Sequence, residues 1–186
     1  IIRGRDTSDE ALAHAFDFAQ RIKKTPIVVN DSRGFYTSRV FGTFVNEGLD
    51  MLAEGWSPVS IEQAALQNGS PVGPLAVSDE VSLELARSVR MQTHRDLEAE
   101  GKPAQLTAAD RVLDRMVLEL GRKGKAAGAG FYEYPADGKK QLWPGLQQHF
   151  VKPERSQPSA AQLQELKDRL LYITALESVR CLQQNV

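Results

Sequence analysis

The sequence predicts a mostly α-helical protein. Apolar residues recur at three- and four-residue steps in one segment after another, which is the period of a helix face and not of a strand. Helix-start signals stand ahead of these segments, and glycine or proline stands behind them. Extended signals are confined to three short stretches, 1–4, 27–29 and 131–143.

Taken in order, Ile1-Ile2-Arg3-Gly4 reads as the end of a strand. Thr7-Ser8-Asp9-Glu10 is a capping-box pattern with Thr7 as the cap. The helix it starts carries Leu12, Phe16, Ala19 and Ile22 on one stripe and stops before Pro26. His14, beside the stripe, reads as an ordinary surface or packing histidine. Ile27, Val28 and Val29 form a β-branched run bounded by Asn30, Asp31 and Ser32. From Gly34 the period changes. Phe41, Phe44, Val45, Gly48, Leu49 and Leu52 define one face of a long central helix, and Gly42 and Gly48 mark places where another backbone comes close.

Ser57-Pro58 restarts a short helix bearing Ile61, Ala64, Ala65 and Leu66, with Gly69 ending it in a left-handed conformation. A stretch over 75–81 breaks near Ser82, and the next helix turns Leu85 and Val89 inward. Gly101-Lys102-Pro103 is a loop. Thr107 and Asp110 cap a helix with Val112, Leu113, Met116, Val117 and Leu120 on its apolar face. Asp137-Gly138 is the turn of a hairpin between Phe131-Tyr132 and Gln141-Leu142. The stretch 144–157 reads as a loop-rich linker, and Ser159 opens a last helix with Leu163, Leu166, Leu170, Ile173 and Cys181 on its stripe.

A formal net charge of -1 gives no electrostatic reason to expect nucleic acid or an anionic membrane. No apolar run approaches the roughly 20 residues that span a bilayer. A single cysteine excludes an internal disulfide and fits a reducing, cytoplasmic compartment. Paired carboxylates, metal-ligand spacing and a nucleophile–histidine pattern are absent from the sequence.

Three segments carry a resemblance. The run 24–41, KTPIVVNDSRGFYTSRVF, resembles the motif K-T-P-[IV]-x-V-x-D-x-P-G-F-[IV]-x-N-R that opens the C-terminal helical domain of 3-hydroxyacyl-CoA dehydrogenases. Residues 69–74, GSPVGP, look like that family's G-x-P-M-G-P turn, and residues 124–132, GKAAGAGFY, look like its G-[RK]-K-T-G-x-G-F-Y signature. The implied fold is all-α, of the 3-hydroxyacyl-CoA dehydrogenase C-terminal type shared with 6-phosphogluconate dehydrogenase, with a short hairpin near 131–143. The resemblance divides the chain into 1–24, the tail of an NAD-binding domain and its connecting helix; 25–150, the helical domain; and 151–186, a linker and the first helix of a second copy. That second copy, as in multifunctional fatty-acid oxidation proteins, is also read from an internal repeat. Arg39 precedes Glu47 by eight residues and Arg169 precedes Glu177 by eight, with Leu52 and Leu182 each five further on.

The implied reaction oxidises a (3S)-hydroxyacyl-CoA to the 3-ketoacyl-CoA, with NAD taking the hydride. The family supplies its catalytic histidine and NAD site from a separate domain. No matching segment occurs here, so no catalytic residue is assigned, and neither NAD binding nor turnover is expected of this chain alone. Gly128-Ala129-Gly130 supplies two glycines of a dinucleotide fingerprint but precedes an extended segment where a helix should begin. Lys123 and Lys125 beside it read as solvated charges.

The one candidate substrate-binding residue is Ser38, which stands where the family has asparagine, just as Arg33 stands where it has proline. Ser38 is either substrate-facing or simply an exposed helix residue. Arg39 is expected to be structural, paired with Asp31 or Glu47. Implied partners are an acyl-CoA, the chain's own NAD-binding domain, a second copy of the subunit and a thiolase subunit. The alternative is a non-catalytic helical module used for dimerisation.

Overall fold

The computed structural model describes residues 1–186. In order it comprises β1 (Ile2–Arg3), α1 (Asp9–Arg21), β2 (Val29–Asn30), α2 (Phe35–Glu54), α3 (Pro58–Gln67), α4 (Pro74–Val81), α5 (Leu83–Ala99), α6 (Ala108–Asp114), β3 (Tyr132–Glu133), β4 (Gln141–Leu142), α7 (Gly145–Phe150) and α8 (Ala160–Gln183). Helices dominate, as expected. The strands form two minimal ladders: β1 parallel to β2, and β3 antiparallel to β4. No helix is long and apolar enough to cross a membrane. The chain divides into two compact units, one of 1–43 with 173–186 and one of 44–172.

In the first unit, the cap of α1 lies one residue later than the sequence indicated. Ser8 accepts from the Ala11 amide, while Thr7 turns back to accept from Gly4. The helix buries no residue completely: Leu12, Phe16 and Ala19 of its stripe are half-buried and Ile22 is exposed. Gly34 and Phe35 both adopt positive φ and turn the chain sharply into α2. Glycine takes that geometry freely, whereas Phe35 incurs a cost of about 1 kcal/mol. Phe41, expected to face inward, is 40% exposed. Cys181 is buried, as its place on the last stripe implied.

The second unit holds the main core. Leu49, Met51 and Leu52 of α2, Ile61, Ala64 and Ala65 of α3, Leu75 of α4, Leu113 of α6, Phe131, Leu146 of α7, and Leu166 and Leu170 of α8 pack into one cluster. Gly48 permits a close approach, since a Cβ there would collide with the Pro74 ring. Gly42 faces open space and has no such reason. Asn68 ends α3 and Gly69 follows in the left-handed region. Ser82 breaks α4 from α5 at φ +84°.

Helix α5 corrects a sequence expectation. Leu85 and Val89 are 55% and 58% exposed, and Leu83 alone of this helix is buried. The helix is rotated because its arginines pair with acids of α6: Arg87 with Asp114 at 2.6 Å and Arg90 with Asp110 at 2.9 Å. Asp110 also completes the expected capping box with Thr107. After Asp114 the helix continues as a π-helical turn over 115–119. Residues 144–157 are more structured than a linker, with α7 and a 3-10 turn over 153–155. This stretch is tied to the α2–α3 turn by Lys152 N–H to Gly55 O at 3.0 Å and Ser57 N–H to Arg155 O at 3.1 Å.

Candidate functional site

The first turn of α2 carries the one candidate substrate contact. Ser38 is exposed there. Its neighbours face the other way and fix the helix to α8: Tyr36 Oη lies 3.4 Å from Ser178 Oγ, and Arg39 donates to Glu177 at 2.7 Å and to Gln184 at 2.8 Å. The partner expected for Arg39, Asp31 or Glu47, is therefore replaced by Glu177. Glu47 instead accepts from Arg169 at 2.6 Å. This explains the repeated Arg-to-Glu spacing. Two antiparallel helices with the same eight-residue interval pair each arginine with the other helix's glutamate. Ser32 Oγ, in the turn ahead of α2, is buried without a hydrogen-bond partner.

The other two signature segments meet in the second unit around two buried acids that sequence reasoning did not single out. Glu62 of α3 lies behind the 69–74 turn, where it accepts from the Leu75 amide and the Tyr132 hydroxyl at 2.8 and 2.7 Å. Asp79 of α4 lies behind the 124–132 segment. It accepts from the amides of Phe131 and Tyr132, both at 2.8 Å, and from the Tyr134 hydroxyl at 2.9 Å. Burial pushes both carboxyls above their ordinary range, against the opposing pull of these donors. The same burial, with the acids alongside, drives the Tyr132 and Tyr134 hydroxyls upward.

These acids account for two motif glycines. A Cβ on Gly73 would land inside the Glu62 carboxylate, and one on Gly130 inside that of Asp79. The signal was in the sequence: a glycine not needed for its φ leaves room for something else, here a carboxylate. The space opposite Gly130 is filled by the Asp79 carboxylate, which accounts for this glycine without a phosphate. Lys123 and Lys125 are paired with Glu84 and Glu80, both at 2.7 Å, and remain about half exposed.

His14 is exposed, 3.8 Å from Glu10. His94 lies 3.7 Å from Asp110, and His149 stacks on Trp143 and meets Arg115. The partners of the three are carboxylates, an aromatic ring and a guanidinium, not a nucleophile. A half-open acidic hollow of about 480 Å³ is lined by Glu47, Asp50, Glu54, Thr107, Arg111 and Arg169. Asp50 in it accepts from the Ala109 amide at 2.8 Å, and burial raises its carboxyl. Glu54 is lowered, chiefly by its hydrogen bonds from Arg169.

In this helical unit the G-x-P-x-G-P turn and the glycine-rich G-F-Y segment, the two motifs that resemble the helical domain of 3-hydroxyacyl-CoA dehydrogenases, are packed on the buried acids Glu62 and Asp79. The family model of the 3-hydroxyacyl-CoA dehydrogenase C-terminal domain matches residues 34–134, more than half of the chain, and the chain belongs to that family. It is 32% identical over its whole length to a fatty acid oxidation complex subunit alpha of Shewanella putrefaciens, covering 25% of that protein, and 34% identical over 76% of its length to the same subunit of Shewanella loihica, covering 19%. The chain thus spans about a quarter of the curated relatives it matches.

Among solved structures, it resembles (S)-3-hydroxybutyryl-CoA dehydrogenase PaaH1 of Ralstonia eutropha, with TM-score 0.59 and 31% identity over 72% of this chain and 46% of that one. It shares its fold with the dehydrogenase part of multifunctional enzyme 1 of C. elegans, with TM-score 0.65 and 23% identity over 99% of this chain and 40% of that one.

Proposed function

We propose that this chain is the helical, substrate-facing part of an NAD-dependent 3-hydroxyacyl-CoA dehydrogenase of a multifunctional fatty-acid oxidation protein. The observation that carries the reading is the family match over 34–134 together with similarity over the whole chain to fatty acid oxidation complex alpha subunits. NAD, held by another domain of such a protein, would take the hydride from the 3-hydroxyl carbon. The residues of this chain bind and orient. Ser38 presents an exposed hydroxyl at the start of α2, able to donate and accept one hydrogen bond to the acyl-CoA, and Arg39 with Tyr36 holds that turn rigid. Residues 1–24 are read as the tail of the nucleotide-binding domain, 25–150 as the helical domain, and 151–186 as linker and opening helix of a second copy.

The test is NADH formation by a polypeptide that joins this chain to a family NAD-binding domain. Ser38→Ala should raise KM for the acyl-CoA several-fold with kcat nearly unchanged, and an unchanged KM would remove Ser38 from the cleft. A cytoplasmic location and a thiolase subunit as partner belong to the same reading. A second reading, a helical module for homodimerisation, is favoured by the apolar side chains that α8 leaves exposed, Tyr172, Leu176, Val179 and Leu182. Sedimentation of the chain over a range of concentrations tests it.

A further inference from the structure

The segment Gly130–Tyr132 is gripped on both of its hydrogen-bonding sides by side chains of opposite charge. On the amide side stands Asp79, fully buried, taking Phe131 N–H on Oδ1 and Tyr132 N–H on Oδ2. On the carbonyl side stands Arg122, 9% exposed, whose Nε donates to Gly130 O at 2.6 Å and whose Nη2 donates to Tyr132 O at 3.0 Å. The guanidinium is capped by the Trp143 ring, 4.1 Å from Cζ, and its remaining nitrogen reaches Glu133 at 3.2 Å. A buried charge is tolerated when it is hydrogen-bonded and compensated. Here the compensation runs through three residues of backbone. The Gly130 position has no room for a Cβ, so this arrangement dictates the glycine.

We propose that Asp79 and Arg122 act as one latch across the Gly130–Tyr132 backbone, and that this latch sets whether segment 124–134 opens locally or only with the rest of its unit. Each charge is compensated by the other through the polarised peptide groups between them. Removing one leaves the other buried beside peptide dipoles that can turn away from it. Removing both leaves a neutral segment with ordinary hydrogen bonds. The two losses are therefore not additive.

The experiment is a double-mutant cycle on this chain with Asp79→Asn, Arg122→Gln and the pair, read by urea midpoints and by amide hydrogen exchange. The expected result is that the double variant melts no earlier than the worse single variant. Midpoint losses that add overturn the latch. Arg122→Lys is a second arm that decides the matter if either single variant fails to fold: it keeps the charge but cannot bridge both carbonyls. Exchange at the Phe131 and Tyr132 amides should then rise roughly tenfold or more, as loss of a charge-assisted hydrogen bond implies, while Ala64 and Ala65 of α3 keep their protection. Unchanged exchange at 131 and 132, or an equal rise in α3, overturns the proposal.

Discussion

Arg169 of α8 gives the most quantitative handle on the second unit. Its guanidinium donates to Glu54 through both Nη atoms, at 2.7 and 2.8 Å, and to Glu47 through Nε at 2.6 Å. Replacing it with methionine keeps the aliphatic stem and deletes all three bonds. Hydrogen bonds to charged groups contribute about 1.5–3 kcal/mol each when well buried. Glu54 is 39% exposed, so screening removes most of its share, whereas Glu47 at 17% loses its partner with little water to replace it. The net expectation for Arg169→Met is about 2 kcal/mol at neutral pH. In a chain of this length that lowers Tm by about 4–8 °C.

The pH dependence carries the sign. The Glu54 carboxyl is held below its ordinary range, so its contribution is present above about pH 4.5 and is lost as pH falls through the lowered value. The gap between wild type and Arg169→Met should narrow steadily below about pH 4.5. Urea unfolding followed by circular dichroism at several pH values measures it. A gap under about 0.5 kcal/mol at neutral pH, or one that widens in acid, would show that Arg169 does not stabilise the unit through these two glutamates.

The glycines separate by their surroundings. Gly73→Ala and Gly130→Ala drive a methyl into the Glu62 and Asp79 carboxylates and should each cost about 2 kcal/mol or more, while Gly42→Ala, in open helix, should stabilise by about 0.5–1 kcal/mol; thermal melts of the three rank them. Ser32→Ala removes a buried hydroxyl with no partner and should be neutral or stabilising by up to about 1 kcal/mol. For Glu62, whose carboxyl burial holds above its ordinary value, the stability is full below the unfolded pKa and falls as pH rises through the folded one. Glu62→Gln should therefore gain on wild type as pH rises above the ordinary glutamate value of 4.5, as read from paired urea melts, and a constant offset would count against a raised carboxyl. Cys181, buried on α8, should react with a thiol reagent only as fast as the first unit opens, so labelling that stays fast in native buffer contradicts the packing.

Much of this was legible in the residues because local chemistry and burial agreed. The hairpin near 131–143, the left-handed Gly69, the Thr107–Asp110 box and the break at Ser82 all follow from turn and cap chemistry that acts within a few residues. The failures involve long-range charge. Leu85 and Val89 have helical spacing, but Arg87 and Arg90 find acids on α6 and set the rotation of α5. Glu62 and Asp79 escaped notice because acids are rarely buried, and only the amides and hydroxyls brought by a distant segment make that burial tolerable. Arg39 pairs with Glu177, distant in sequence, and not with the acids near it, because the same Arg-to-Glu interval recurs on an antiparallel helix. Ser38 stood out only through the resemblance, since an exposed serine on a helix has no physical mark of its own.

This chain is proposed to supply one side of a cleft whose hydride chemistry resides in another domain. The most direct measurement is NADH formation from (3S)-hydroxybutyryl-CoA and NAD, comparing the chain alone with the chain joined to a nucleotide-binding domain of its family. The joined protein should turn over and the chain alone should not; turnover by the chain alone, or none by a folded joined protein, would contradict it.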